Sequence, residues 1–215
     1  MRKVHASFLT AGLIVLAASP AFAQPPGGRF GRFQPNAYML LGQDKVQEEL
    51  KLTDDQKDQV KKVREKYQED IRSAFGNMDF QKGQELMKKA SDEDAKALKP
   101  EQAKRLHQIE VQASGLGAFE KEDVQTSLKL TDEQKKSIKE SSEELRKDIM
   151  DLMQNVGQDQ DKRREAFTKV RTMSQDAVNK VIEGLNADQK KEWKELTGEK
   201  FEVQFGPPRR PGNDR

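Results

Sequence analysis

Apolar residues along this chain recur mostly at steps of three and four, the spacing that lines one face of an α-helix. Val60, Val63, Tyr67, Ile71, Ala74 and Phe75 form one such stripe. Ile138, Leu145, Ile149, Leu152 and Met153 form a second. Charged residues flank both stripes, so each helix has one narrow side to bury. Nothing reads as a strand. The pattern predicts an all-α fold.

The two stripes are copies. Val46-Gln47-Glu48-Glu49-Leu50-Lys51-Leu52-Thr53-Asp54-Asp55-Gln56-Lys57 returns 78 residues later as Val124-Gln125-Thr126-Ser127-Leu128-Lys129-Leu130-Thr131-Asp132-Glu133-Gln134-Lys135, identical at nine of twelve positions. Val60, Tyr67, Ile71 and Phe75 then align with Ile138, Leu145, Ile149 and Met153, while Ser141 stands where Val63 does. A second pair of matches is offset by 87: Leu98-Lys99-Pro100-Glu101-Gln102 answers Leu185-Asn186-Ala187-Asp188-Gln189, and Phe80 answers Phe167. The second copy therefore carries nine extra residues between Met153 and Phe167. Such self-similarity marks a repeated structural unit, here two tandem copies of an antiparallel helical unit in a thin extended or cradle-like assembly.

Each matching element encodes a helix start. Thr53 is a good N-cap, and Gln56 three residues on can reach back to its N–H, a capping box with Asp54 and Asp55 facing the positive helix end. Thr131 with Gln134 and Asn186 with Gln189 repeat the arrangement. Lys99 is a poor cap, but Pro100 presets φ at the first helical position. Leu52, Leu98, Leu130 and Leu185 plug the joints before these starts. The predicted helices are 43–50, 54–75, 79–97 and 100–114 in the first copy, then 121–128, 132–155, 160–184 and 187–203. Ser114-Gly115-Leu116-Gly117 is the expected divider, giving helical repeats over 36–117 and 118–205.

The ends read differently. Arg2 and Lys3, an apolar run from Phe8 to Ala18, and Ala21-Phe22-Ala23 have the order of a signal peptide over 1–23, with cleavage between Ala23 and Gln24. The run is shorter than the roughly 20 residues a membrane span needs, and no later segment is a candidate span. Residues 24–35 and 206–215 are rich in Pro, Gly and Arg and read as a flexible arm and a disordered tail.

Composition narrows the function. Hydrophobic residues are 33% and charged residues 35% of the chain, against roughly 45–50% and 25% in an average domain, so thin helical packing suits the chain better than a thick core. The expected signal holds two of the 39 basic residues and none of the 37 acidic ones, so its removal takes the formal charge from +2 to neutral. Global charge then gives no argument for nucleic acid. Cysteine is absent, which excludes disulfides and thiol chemistry.

No catalytic constellation emerges, and neither a cofactor nor a metal is expected. His107 is the one histidine after the signal and reads as a surface or seam residue, because zinc and copper sites want several such ligands. Asp92-Glu93-Asp94 and Glu140 with Glu143-Glu144 read as solvated faces. Met150 and Met153 read as seam filling. Trp193 and Phe201 read as cover for the seam of the final helix. Arg29-Phe30-Gly31-Arg32-Phe33 interleaves basic and aromatic residues but reads as a linker.

Leu-Thr-x-x-Gln followed by Lys and an apolar stripe resembles the signature of the Spy/CpxP (LTxxQ-motif) family of envelope stress proteins. Leu52 to Lys57 and Leu130 to Lys135 match it, and the elements at Leu98 and Leu185 resemble that family's later, degenerate copy. The resemblance implies a periplasmic, ATP-independent chaperone holding unfolded or misfolded envelope proteins. The alternative is a non-chaperone partner of an envelope stress sensor. Either would act without enzyme chemistry. The duplication adds the expectation that one chain supplies what two subunits supply in that family, as a pseudo-dimer, with a homodimer as the other possibility.

Overall fold

Short polar side chains that accept from the backbone fix where the helices begin. Asn36, Thr53, Asp79, Thr131, Asp159 and Asn186 each stand at an N-cap and accept from an N–H in the first turn. The computed structural model describes residues 35–156 and 159–201. In chain order these form α1 (Ala37–Leu40), α2 (Asp44–Glu49), α3 (Asp54–Gly76), α4 (Phe80–Ala95) and α5 (Pro100–Ser114). A 3-10 turn (Gly115–Glu120) follows, then α6 (Glu122–Ser127), α7 (Asp132–Gln154), α8 (Gln160–Glu183) and α9 (Ala187–Thr197). The described residues contain no strand, so the all-α class holds. The signal peptide with its Ala23–Gln24 cleavage site, the 24–35 arm apart from Pro35, and the 206–215 tail lie outside the described residues.

Three apolar clusters hold the helices. In the first copy, Leu40, Leu41, Val46, Leu50, Leu52 and Val60 meet Leu106 and Ile109 of α5. A smaller group, Tyr38, Val63 and Ala90, joins α1, α3 and α4. In the second copy, Leu116, Phe119, Val124, Leu128, Leu130 and Ile138 meet Leu185 and Trp193. The leucines preceding the caps therefore find their partners in these clusters. Lys57 and Lys135, at the usual staple positions, are not among them. Contacts along α3 and α4 pair ends in reverse order: Phe75 lies beside Phe80, Lys66 reaches Glu93 at 2.7 Å, and Gln56 reaches the carbonyl of Ala97.

Two segments differ from the sequence reading. Gly115–Glu120, which begins inside the expected divider Ser114–Gly117, is a packed turn: Leu116, Ala118 and Phe119 are all buried and Phe119 stacks on Trp193 with ring centroids 4.2 Å apart. It stands 78 residues after α1 and plays the same packing part. The last helix stops at Thr197, not 203. Gly198 there adopts φ +59°, and a Cβ on it would strike the Gln108 side chain. Gln108 donates to the Glu195 carbonyl at 3.0 Å, and Gln112 to the Thr197 and Glu199 carbonyls. This α5 ladder takes up the freed carbonyls and turns the chain so that Phe201 packs on the first copy's cluster rather than on its own helix. Val111 makes the reverse crossing, from α5 into the second copy's cluster.

Both short lead helices end on a lysine with positive φ, 50° at Lys51 and 49° at Lys129. Leu52 N–H donates to the Gln47 carbonyl and Lys51 N–H to the Glu48 carbonyl, with Leu130 and Lys129 repeating the pair. This is the Schellman C-terminus, in which glycine is the usual left-handed residue. A Cβ there costs about 1–2 kcal/mol, offset in part by glycine's greater freedom when unfolded. Lys51→Gly and Lys129→Gly are each expected to stabilise the protein by about 0.5–1 kcal/mol. Urea denaturation checks this, with Lys51→Ala as the variant that should gain nothing.

Candidate functional site

The residues that the sequence singles out converge in two places. In the first copy, Gln56 at the start of α3 and Gln102 at the start of α5 face each other. Gln56 Nε2 donates to Gln102 Oε1 at 2.7 Å, and Gln102 Nε2 donates to Gln56 Oε1 at 3.1 Å. Each Oε1 also accepts from its own cap: Thr53 N–H at 3.0 Å and Lys99 N–H at 2.9 Å. The remaining amide hydrogens go to the carbonyls of Ala97 at 2.7 Å and of Leu50 at 3.1 Å. Both side-chain amides therefore use all their hydrogen-bonding capacity. Lys99 has no side-chain acceptor, so its cap keeps only the half that Gln102 supplies.

The second copy repeats the clasp. Gln134 and Gln189 exchange bonds of 3.0 and 2.9 Å, their oxygens accept from Thr131 and Asn186 N–H at 3.0 Å, and their nitrogens reach the Gly184 and Lys129 carbonyls at 3.5 Å. Thr131 and Asn186 complete full capping boxes. The fixed glutamine of the signature thus has a physical reason. A glutamate at the same position could cap its helix but could not donate to the opposite side chain or to a carbonyl.

A second constellation escaped the sequence reading. Asp94, expected on a solvated face, is fully buried, and neither carboxylate oxygen has a hydrogen-bond partner among the described residues. Met87, Ala90, Ser91 and Asp94 fall on one face of α4, so the helical spacing was the signal that could have found it. Burial pushes the Asp94 carboxyl up to about 7, against the pull of Arg64 and with a small push from Glu93. Arg64 lies 4.8 Å over the Tyr38 ring and donates to the Tyr38 carbonyl. Gly42 makes room for it, since a Cβ there would strike the guanidinium. The matching residues in the second copy are Leu116, Ser142 and Val181, so the polar cluster belongs to the first copy alone.

His107 sits where the copies meet. Its Nδ1 lies 3.8 Å from Glu110 and its Nε2 3.6 Å from Asp123. Glu110 and, less strongly, Asp123 raise its pKa, while partial burial opposes them. Met150 and Met153 are half-buried, and Glu140, Glu143 and Glu144 are exposed. Among the described residues no three His, Asp or Glu side chains gather as a metal site would, and no helix is long and apolar enough to cross a membrane. No family model, curated protein or solved structure matches the chain.

Two predictions follow from this geometry. Gln102→Glu and Gln189→Glu each place a carboxylate against acceptors in a nearly closed site, and each is expected to cost about 2–4 kcal/mol at neutral pH in urea melts. Glu101→Gln, exposed and one residue away, should move stability by less than about 0.5 kcal/mol.

The second concerns pH. Asp94 has a higher pKa folded than unfolded, so the native state binds the extra proton and stability falls as pH rises from about 4 towards 7. His107 favours its charged form in the fold, so its contribution is present below about 6.5 and is lost as pH passes its raised folded value. Both changes have one sign. Glu85, Glu93 and Glu133 are held low by Lys89, Lys66 and their helix start respectively, and act in the opposite sense only in more acidic solution. Between pH 5 and 7 the Tm should therefore fall on the order of 5 °C. Asp94→Asn should flatten most of that slope and leave the His107 part.

Proposed function

We propose that this chain is an ATP-independent, holdase-type chaperone of the Spy/CpxP kind, exported to the periplasm and acting on unfolded or misfolded envelope proteins. The observation that carries the reading is the twice-repeated Leu-Thr-x-x-Gln-Lys signature at Leu52–Lys57 and Leu130–Lys135, with its glutamine doing the same work in both copies.

The surface supports it. Met78, Phe80 and Phe167 are 63%, 46% and 61% exposed on a chain of high charge and low apolar content. Isolated apolar contacts set among charges suit loose, reversible holding of many clients better than one tight interface, which would bury a hydrophobic centre. The duplication further suggests that the two copies together form the cradle for which two subunits are used elsewhere in that family, so a monomer would be the active unit.

The test is light scattering from a client unfolding without nucleotide, with the purified protein at near-stoichiometric ratio. Suppression is expected, together with a monomer mass in solution. Absence of suppression at several-fold excess would sink the chaperone reading. If one saturable partner were then recovered by crosslinking, the sensor-modulator reading would take its place.

A further inference from the structure

The nine extra residues of the second copy change its surface as well as its length. α4 begins at Phe80, whereas α8 begins at Gln160, two turns before the matching Phe167. On those turns and just beyond, Arg163, Arg164 and Arg171 are exposed and share one face with Phe167. Arg163 and Arg164 lie in the stretch that carries the extra residues and have no counterpart in the first copy, and the residue matching Arg171 there is the uncharged Gln84. None of the three arginines has an ion-pair partner among the described residues, while nearby Lys169 is held by Glu165 at 3.0 Å.

Thr168 borders both this face and a shallow trough of about 470 Å³ between α7 and α8. Leu152, Thr172 and Met173 give the trough an apolar floor, with Asp148 and Lys169 at its margin. Cationic forks, an uncovered aromatic ring and an apolar depression therefore lie side by side.

We propose that this strip of α8 is a docking surface for an acidic, partly apolar peptide segment of a partner protein. Arginine guanidinium groups bind carboxylates in bidentate fashion, and arginine with aromatic anchors dominates binding energy at protein interfaces. The trough takes an apolar side chain. A concave gap between two helices fits a protruding side chain, whereas a bilayer surface is met by the convex apolar face of one amphipathic helix. The chain's own ends keep an excess of positive charge: 24–35 contains Arg29 and Arg32 and no acidic residue, and 202–215 sets Arg209, Arg210 and Arg215 against Glu202 and Asp214. The ligand is another molecule. This inference stands on charge and shape alone and is separate from the holdase reading.

The experiment uses fluorescence anisotropy of a labelled peptide of Glu, Asp, Leu and Phe against the purified protein. Micromolar affinity is expected, weakening about tenfold between about 50 and 300 mM salt. The R163Q/R164Q/R171Q variant should lose at least about tenfold, and F167S several-fold. K104Q/K139Q/K147Q removes the same charge elsewhere and should bind like the parent. Unchanged helical circular dichroism and Tm in the variants keep a folding defect from mimicking the result.

Three results would overturn the proposal. They are undiminished binding by the triple arginine variant, equal binding of a charge-inverted Lys peptide, and binding of phosphatidylglycerol vesicles without binding of the peptide. The last would assign the strip to a membrane. Because the peptide is bound rather than protected from aggregation, failure of client suppression leaves this measurement standing, and the reverse also holds.

Discussion

Two glutamine side chains exchanging amide hydrogen bonds hold four helix ends at each junction. Helix termini leave their first N–H and last C=O groups without partners, and bringing several ends into one partly buried place multiplies that cost. Gln56 and Gln102 meet the demand because a primary amide both accepts and donates. Their oxygens serve the starts of α3 and α5, and their nitrogens serve the ends of α2 and α4. Serine, threonine and aspartate can cap one helix. None can also donate two hydrogen bonds outward. The rest of each copy follows, because fixing these four ends places Leu50, Leu52, Val60 and Leu106 in one cluster.

This explains which features could be read from the chain. Each cap is local: Thr53 and Gln56 lie three residues apart, and their types encode the helix start on the spot. The clasp is not local, because Gln56 and Gln102 are 46 residues apart, and nothing in either motif announces its partner. The repeat was the indirect signal, since both motifs recur together. The divider Ser114 to Gly117 is legible from its two glycines, while the burial of Leu116, Ala118 and Phe119 beside it depends on packing that only the folded chain supplies. The end of α9 is a similar case. Residues 198–203 can continue a helix, but the α5 glutamines take up the carbonyls of Glu195, Thr197 and Glu199, and Gly198 permits the turn.

Asp94 shows a different failure. Three consecutive acidic residues suggest a water-facing surface, yet on a helix neighbouring positions point some 100° apart, and Asp94 shares the packed face of Met87, Ala90 and Ser91. Its counterpart Val181 fills the same place without charge. A buried carboxylate is stabilising only with good partners, and apolar replacement of buried ionic groups is often neutral or better. The second copy, with Leu116, Ser142 and Val181, is thus the uncharged version of the same packing problem. The first copy keeps a charged cluster there, with Arg64 over the Tyr38 ring and the Asp94 carboxylate buried nearby.

The two copies differ most where the clasp constrains them least. α7 starts at the clasp and runs 23 residues to the turn before α8, so that turn lies on the order of 35 Å away along the helix axis. Extra residues there lengthen α8 to 24 residues against 16 in α4, while α3 and α7 both keep 23 and the caps stay undisturbed, whereas an insertion beside Thr131 would shift Gln134 away from Gln189. Length at the far end was free to vary, and the nine additional residues brought Arg163 and Arg164 with them. The same logic applies to the first copy, whose α3–α4 turn keeps Phe75 against Phe80 with ring centroids 6.1 Å apart and leaves no turn on which arginines could be placed. A junction that satisfies its own backbone is what allows one scaffold, used twice, to present two different ends.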